Sequence, residues 1–269
     1  MEGLNFSILE KVKETNEVCD KHNINKVSLG NMEPFCRECV QEQRAIEHDQ
    51  MIAEFTAKRF KEITYAWLKN KSIISDDSLK NATFDKYKTD DEETTVNKQQ
   101  ARMIAKDYLD NKVFNTILTG IPGTGKSHLS MSILEAVNEN SNPYRKCLFV
   151  SVDEMLRMVK DSFNYKESKY TEQYMVDMLG AADLLVLDDL GAETGAMGTI
   201  KEATDFTQKL LYAVINQRQN KSTIINTNLS SKDLSRMYDP KLLSRMYKGS
   251  KGHIIKFSTT KDKRMEVEF

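Results

Sequence analysis

The stretch NTILTGIPGTGKSHLSMSILE, residues 115–135, decides how the rest of the chain reads. An apolar run that suits a buried strand meets a glycine-rich turn, and an apolar-periodic segment that suits a helix follows. Gly120, Gly125, Lys126 and Ser127 complete the pattern G-x-x-x-x-G-K-[ST], with Ile121, Pro122, Gly123 and Thr124 between them and His128 next. Glycines at these positions let backbone N–H groups turn inward around phosphate oxygens without a side-chain clash. Lys126 puts a point charge on the terminal phosphates, Ser127 offers a hydroxyl to Mg2+, and the helix that starts here adds the positive end of its dipole. The expected ligand is a nucleoside triphosphate, ATP with Mg2+.

Working outward, LLVLDDLGA (184–192) delivers Asp188 and Asp189 to the carboxyl end of an apolar strand, where ligands sit in open α/β sheets. Asp188 is the expected Mg2+ partner, and Asp189 the group expected to polarise an attacking water. STIINTN (222–228) ends in Asn228, at the tip of a strand expected beside that of Asp188 and suited to orient the water or touch the γ-phosphate. In DPKLLSRMYKG (239–249), Arg245 follows an apolar pair on a short helix, where a guanidinium can reach a neighbouring subunit's nucleotide. Arg236, in the repeated tetrapeptide SRMY, is its alternative.

Around these motifs the chain alternates. Helix 101–110, strand NTILTG, helix 127–138, strand CLFVSV, helix 153–162, strand LLVLDDL, helix 200–219, strand STIINTN, two short helices and strand HIIKFS predict an α/β domain, a parallel sheet covered on both faces. Upstream, VQEQRAIEHDQMIAEFTAKRFKEITYAWLKN (40–70) lacks Gly and Pro and reads as one long charged helix, on which Tyr65 and Trp67 are expected to pack against the main domain. The polar segment after it, acidic in its second half, reads as a linker. The 269 residues are 39% hydrophobic and 29% charged, with a net charge of -1, which excludes a general electrostatic pull toward nucleic acid or membrane. No run approaches the roughly 20 apolar residues of a membrane span, and no signal-peptide pattern opens the chain, so a cytoplasmic protein without membrane contact is expected.

Of four cysteines, Cys19, Cys36 and Cys39 cluster early, and with His22 they make the pattern C-x2-H-x13-C-x2-C. Two ligand pairs, each on a tight turn, suit a tetrahedral zinc site with no open position, hence a structural one. So small a segment needs its metal to fold. Cys147 opens an apolar strand and reads as core. His48, His128 and His253 have no partner at ligand spacing.

Together, ATFDKY (82–87), the glycine loop, LVLDDLGAE (185–193), TIINTNLS (223–230) and LLSRM (242–246) resemble the helicase-loader branch of the AAA+ ATPases, the DnaC/DnaI type of bacteria and phages, with the transposition ATPase IstB a sister group. The resemblance implies an AAA+ P-loop domain over 81–269, a zinc-binding helicase-interaction module over 1–45 and a long helix with linker over 46–80. It makes Lys126 and Ser127 the phosphate and Mg2+ ligands, Asp188 and Asp189 the Walker B pair, Asn228 sensor 1 and Arg245 the arginine finger. Phe84 and Tyr87 are placed near the adenine. Many AAA+ motors carry Glu at the position of Asp189, and the shorter acid implies slow, partner-stimulated hydrolysis. With Phe269 following soon after the last strand, no helical lid is expected, and Arg264 is the candidate for the second sensor that a lid would bring.

The implied function is ATP-dependent loading of a replicative ring helicase, gripped by the zinc module. The ATPase domain would self-associate and bind single-stranded DNA, for which 158–174, with Lys, Tyr and Phe interleaved, is the candidate. The alternatives are an IstB-like transposition ATPase, which shares the core motifs, and an ATP-binding adaptor that does not hydrolyse.

Overall fold

The computed structural model describes residues 12–165, 167–192 and 202–263. It divides into two compact units, residues 1–60 and 61–269.

In the first unit, strands β1 (Val12–Val18) and β2 (Asn25–Leu29) pair antiparallel. The turn between them closes on Cys19, which accepts from the Asn23 N–H and donates its own N–H to Ile24 O. Phe35 bridges back to Val27, and helix α1 (Arg37–Lys71) starts directly after Cys36. The sequence pattern predicts the helix but not the hairpin, whose alternation is too polar to announce a strand.

The second unit holds the last turns of α1 and everything after. Thr64 and Leu68 are buried there, the Tyr65 hydroxyl donates to Glu139, and Lys71 and Lys146 lie over the Trp67 ring. Helix α2 (Glu92–Leu109) begins earlier than 101, inside the segment whose acidity suggests a linker. Its reason is local: Asp91 and Thr94 form a reciprocal capping box, and Glu92 and Glu93 complement the dipole of the first turn.

Strands β3 (Thr116–Gly120), β4 (Cys147–Ser151), β5 (Leu184–Leu190), β6 (Ser222–Thr227) and β7 (Ile254–Phe257) form one parallel sheet in the order β4-β5-β6-β3-β7. Alternate residues of each strand enter separate cores. Cys147, Phe149, Leu184, Val186 and Ile224 pack with α2 and α3 (Lys126–Asn140). Leu148, Val150, Leu185, Leu187 and Ile225 pack with α4 (Val152–Ser162), α5 (Glu172–Ala181), α6 (Asp205–Gln217), α7 (Ser231–Met237) and α8 (Pro240–Met246). Burial on both faces explains why these strands read as continuous apolar runs. Helix α5 is absent from the sequence expectation, which treats 158–174 as one segment. Thr171, inside that segment, is the N-cap of α5, its hydroxyl accepting from the Tyr174 N–H.

Strand β6 lies between the strand that carries the glycine loop and the strand that carries Asp188. The polar residues at its carboxyl end therefore fall between the two. Among the described residues, no helix is long and apolar enough to cross a membrane.

Candidate functional site

At the carboxyl end of β3 the chain enters the glycine loop. Gly120 has little room: a Cβ there would meet Phe257 O of β7 at 2.5 Å. Gly123 and Gly125 take φ of 74° and 96°, left-handed conformations in which a side chain is strained. Helix α3 then starts at Lys126 with Gly125 as N-cap and no side-chain cap, so its first N–H groups face the loop. The Lys126 ammonium folds onto the loop, donating to Gly120 O at 2.8 Å and Ile121 O at 2.7 Å. Ile121 turns its side chain to solvent, and Thr124 is buried with its hydroxyl on Ile121 O, so both serve the loop through their backbone.

Ser127 Oγ donates to Asp188 Oδ1 at 2.8 Å. Burial first, and the neighbouring carboxylate of Asp189 second, raise the Asp188 carboxyl to about 6, against hydrogen bonds from Asn226 and Ser127 and the charge of Lys126. In a regular strand, Asp188 and Asp189 would point to opposite faces. They do not, because β5 bulges. Leu187 pairs with Ile225 and Leu190 with Thr227, so β5 carries one residue more than β6 over this interval, and Asp189 adopts φ 56°. Asp188 consequently meets Ser127 and Asn226, while Asp189 joins the cleft and accepts from Asn228 Nδ2 at 3.3 Å. Left-handed backbone is uncommon in a residue other than glycine, and aspartate is among the few that adopt it readily.

Asn226 escapes the sequence reading, which takes Asn228 from the same motif. It is fully buried, and its Nδ2 donates to Asp188 Oδ1 at 2.6 Å and to Ser130 Oγ at 2.7 Å. The signal for it is the polar residue inside an otherwise apolar central strand, which must find a partner at the level of its neighbours.

A cleft of about 330 Å3 opens over these groups, lined by Pro122, Gly123, Gly125, Lys126, Ser127, His128, Asp189, Asn228, Tyr87 and Lys263 among others. Tyr87 is only 4% exposed, and its ring packs edge-on to His128 with centroids 5.4 Å apart. Its hydroxyl is buried with no hydrogen-bond partner, the state expected of a group that a ligand satisfies. His128 itself pairs Nε2 with Thr83 O at 3.0 Å, which makes it a support for the ATFDKY turn. Phe84 does not line the cleft. It packs against the core beside α2, with the Arg102 guanidinium 5.6 Å from its ring.

Arg245 is not brought to this cleft. Its carbonyl, on α8, accepts from Asn115 Nδ2 at 3.0 Å, and the Asn115 Oδ1 accepts from Thr223 N, both at the amino ends of β3 and β6. The P-loop leaves the opposite, carboxyl end of β3. The guanidinium lies over the Tyr212 ring at 4.7 Å, and its Nε is buried without a partner. Arg264 lies outside the described residues, as do residue 166 and the segment that follows Ala192.

In the first unit, Cys19, His22, Cys36 and Cys39 put their ligand atoms within 4.8 Å of one another. Cys19 Sγ lies 3.6 Å from Cys39 Sγ, and His22 Nδ1 lies 3.8, 3.5 and 3.3 Å from the three sulfurs. Zinc bonds of about 2.3 Å to sulfur and about 2.0–2.1 Å to nitrogen, set tetrahedrally, require ligand separations of about 3.5–3.8 Å. The separations from His22 and between Cys19 and Cys39 lie close to that set, and the cluster can hold a metal ion. The His22 backbone and ring hydrogen bonds draw the Cys19 thiol down to about 6, and the Cys19 sulfur, followed by Glu42, raises His22 to about 9. Glu42, one turn along α1, accepts on Oε1 from His22 Nε2 at 3.2 Å and also meets Lys21. It fixes the tautomer that leaves Nδ1 facing the sulfurs, a role the ligand pattern alone does not disclose.

The sheet order, the loop and the acid pair define a P-loop nucleotide-binding core of the AAA+ type. The model of the IstB-like ATP binding protein family matches residues 43–250, and the chain belongs to that family. The replicative helicase loader DnaC of Escherichia coli (strain K12) is 24% identical over 172 residues, 63% of this chain and 64% of its own length. The match thus spans less than two thirds of that relative. The crystal structure of the DnaC helicase loader aligns with TM-score 0.55 at 21% identity, over 68% of this chain and 100% of that one. The crystal structure of DnaI aligns with TM-score 0.53 at 16% identity, over 70% of this chain and 96% of that one. At these identities the structural likeness speaks for the fold.

Proposed function

We propose that the protein is an ATP-switched loader of a replicative ring helicase, acting in the cytoplasm. The observation that carries the reading is the pairing of two modules on one chain: a Cys3His cluster with metal-binding geometry and an ATPase core alike to that of the DnaC helicase loader. Residues 1–45 would form the helicase-binding module, 46–80 the long helix and linker, and 81–269 the ATPase. Zinc would be held by Cys19, His22, Cys36 and Cys39, and when bound supplies the cross-link that a segment with so little core lacks.

In the ATPase, the loop from Gly120 to His128 would wrap the phosphates, with Lys126 released from its own carbonyls to meet them. Ser127 and Asp188 would hold Mg2+, which when bound neutralises phosphate charge. Asp189, oriented by Asn228, would polarise the attacking water. Tyr87 would close the nucleotide side of the cleft through its unpartnered hydroxyl, while Phe84 supports the turn from behind. Arg245 would complete the site of a neighbouring subunit in a self-associated form. Single-stranded DNA would be held by its backbone, with the segment 158–174 as the candidate surface.

A second reading, a transposition ATPase, is favoured by the description of the matching family. Size-exclusion chromatography with the replicative helicase of the host, with ATP and without, separates the two. The loader reading expects a shared peak that is lost when Cys36 and Cys39 become Ser. Separate peaks under both conditions would sink it and move the transposition reading, or that of a non-hydrolysing adaptor, ahead. Steady-state ATP turnover then tells the adaptor from the enzyme.

A further inference from the structure

Past β7 the chain turns back toward the P-loop, and one carboxylate organises that return. Glu93, in the first turn of α2, accepts the backbone N–H of Ser258 at 2.7 Å and of Thr260 at 2.7 Å. It also takes the Thr259 N–H on both oxygens, at 3.2 and 3.0 Å, and the Thr260 hydroxyl at 2.5 Å. Successive N–H groups converging on one anion form a nest, here filled by the protein's own side chain. Burial pushes the Glu93 carboxyl up, but the Thr260 hydroxyl and the three N–H groups outweigh it and hold the group at about 2. The clamp is therefore charged at any working pH.

The clamped segment leads straight onto the nucleotide loop. A Cβ on Gly123 would lie 1.6 Å from Asp262 Oδ1, and the Lys263 N–H donates to Gly123 O at 3.1 Å. The Lys263 ammonium sits 5.2 Å from the centre of the Tyr87 ring and faces the cleft that Lys126 and Ser127 line. There it donates to Lys88 O at 2.8 Å and to Asp90 Oδ2 at 2.7 Å. The Asp90 side chain is 54% exposed, so this pair is a surface contact that exchanges with water at little cost. A polyphosphate in the cleft offers the ammonium a stronger, multiply charged acceptor.

We propose that Glu93 is a positioning residue whose clamp on residues 258–260 presents Lys263 to the phosphate chain of a nucleotide in the cleft, making Lys263 a second phosphate-binding cation beside Lys126. The inference rests on the nucleotide reading of that cleft. Glu93 touches no ligand itself; it acts by fixing the segment that carries Lys263.

The test is titration of the full-length protein with a fluorescent ATP analogue and Mg2+, with melting temperatures recorded for each variant. Lys263→Ala is expected to weaken binding about tenfold, the effect of one charge-assisted hydrogen bond, and Lys263→Arg to keep most of it. Glu93→Gln is expected to give a similar loss, and the double variant to bind no more weakly than Lys263→Ala alone. Thr260→Val, which removes one hydrogen bond of the clamp, gives a milder version of the same dependence should Glu93→Gln fail to fold. Unchanged affinity in Lys263→Ala overturns the proposal. Losses that multiply in the double variant overturn it too, because Glu93 would then act on the fold and not through Lys263. If the unaltered protein binds no better than Lys126→Ala, the nucleotide reading falls first and takes this inference with it.

Discussion

At the scale of single residues, the acid pair carries opposed demands. Asp188 is 3% exposed and its carboxyl is raised from 3.8 to about 6, so the folded chain holds that proton more tightly than the unfolded chain does. The contribution of Asp188 to stability is then fully present below pH ~4 and is lost as the pH rises through about 6. Asp188→Asn removes the ionisable group and keeps the shape. We expect it to stabilise the protein by roughly 1–3 kcal/mol at pH 7.5 and by nothing at pH 4, while Mg2+-dependent nucleotide binding falls. Paired thermal melts at the two pH values check this. No gain at pH 7.5 would mean that Lys126 already balances the ionised carboxylate. Both aspartates were legible as a motif. What turns them to one site was not, because a bulge between β5 and β6 depends on the register of two distant strands and leaves no local mark except two acids in sequence.

Elements are held at their ends by groups whose role emerges only from the packing. Arg218, the C-cap of α6, is 3% exposed. It donates to Leu179 O at 2.7 Å, Ala182 O at 2.6 Å, Ser222 O at 2.5 Å and Thr223 Oγ1 at 3.0 Å, joining the end of α5, the entry to β5 and the start of β6. Desolvation lowers this guanidinium to about 9, a measure of how little water reaches it. Arg218→Met removes these four donated hydrogen bonds, and a loss of about 2–4 kcal/mol in urea denaturation is expected. In sequence, Arg218 is one more charge near a helix end. The strands and α3 were legible because burial on two faces and the glycine loop impose strict patterns. The start of α2 and the β1–β2 hairpin were not, since the first depends on a capping box inside an acidic stretch and the second on four ligand residues rather than on apolar alternation.

The same dependence makes Glu42 testable. With His22 oriented by that carboxylate, Glu42→Gln is expected to lower zinc affinity by about 10–100-fold in competition with a chromophoric chelator, leaving one zinc per chain at saturation. Equal affinity would show that the turn carrying Cys19 and His22 alone sets the ring.

Across the whole second unit, the sheet keeps two features apart by its length. The nucleotide cleft lies at the carboxyl ends of the strands and Arg245 at the amino ends, with β3 between them spanning Thr116–Gly120, roughly 13 Å of extended chain. Held over Tyr212, with its carbonyl pinned by Asn115, this guanidinium does not line the cleft of its own chain. If it takes part in hydrolysis, it does so at another chain's site. Arg245→Ala and Lys126→Ala should therefore each abolish turnover alone and recover part of it when the two proteins are mixed, because some mixed interfaces join an intact loop to an intact arginine. The recovery should rise with total protein concentration, as expected of a site shared between subunits. Activity of Arg245→Ala that stays high by itself, or a mixture no better than its components, would assign the guanidinium to the α6–α8 packing and leave each cleft to work alone.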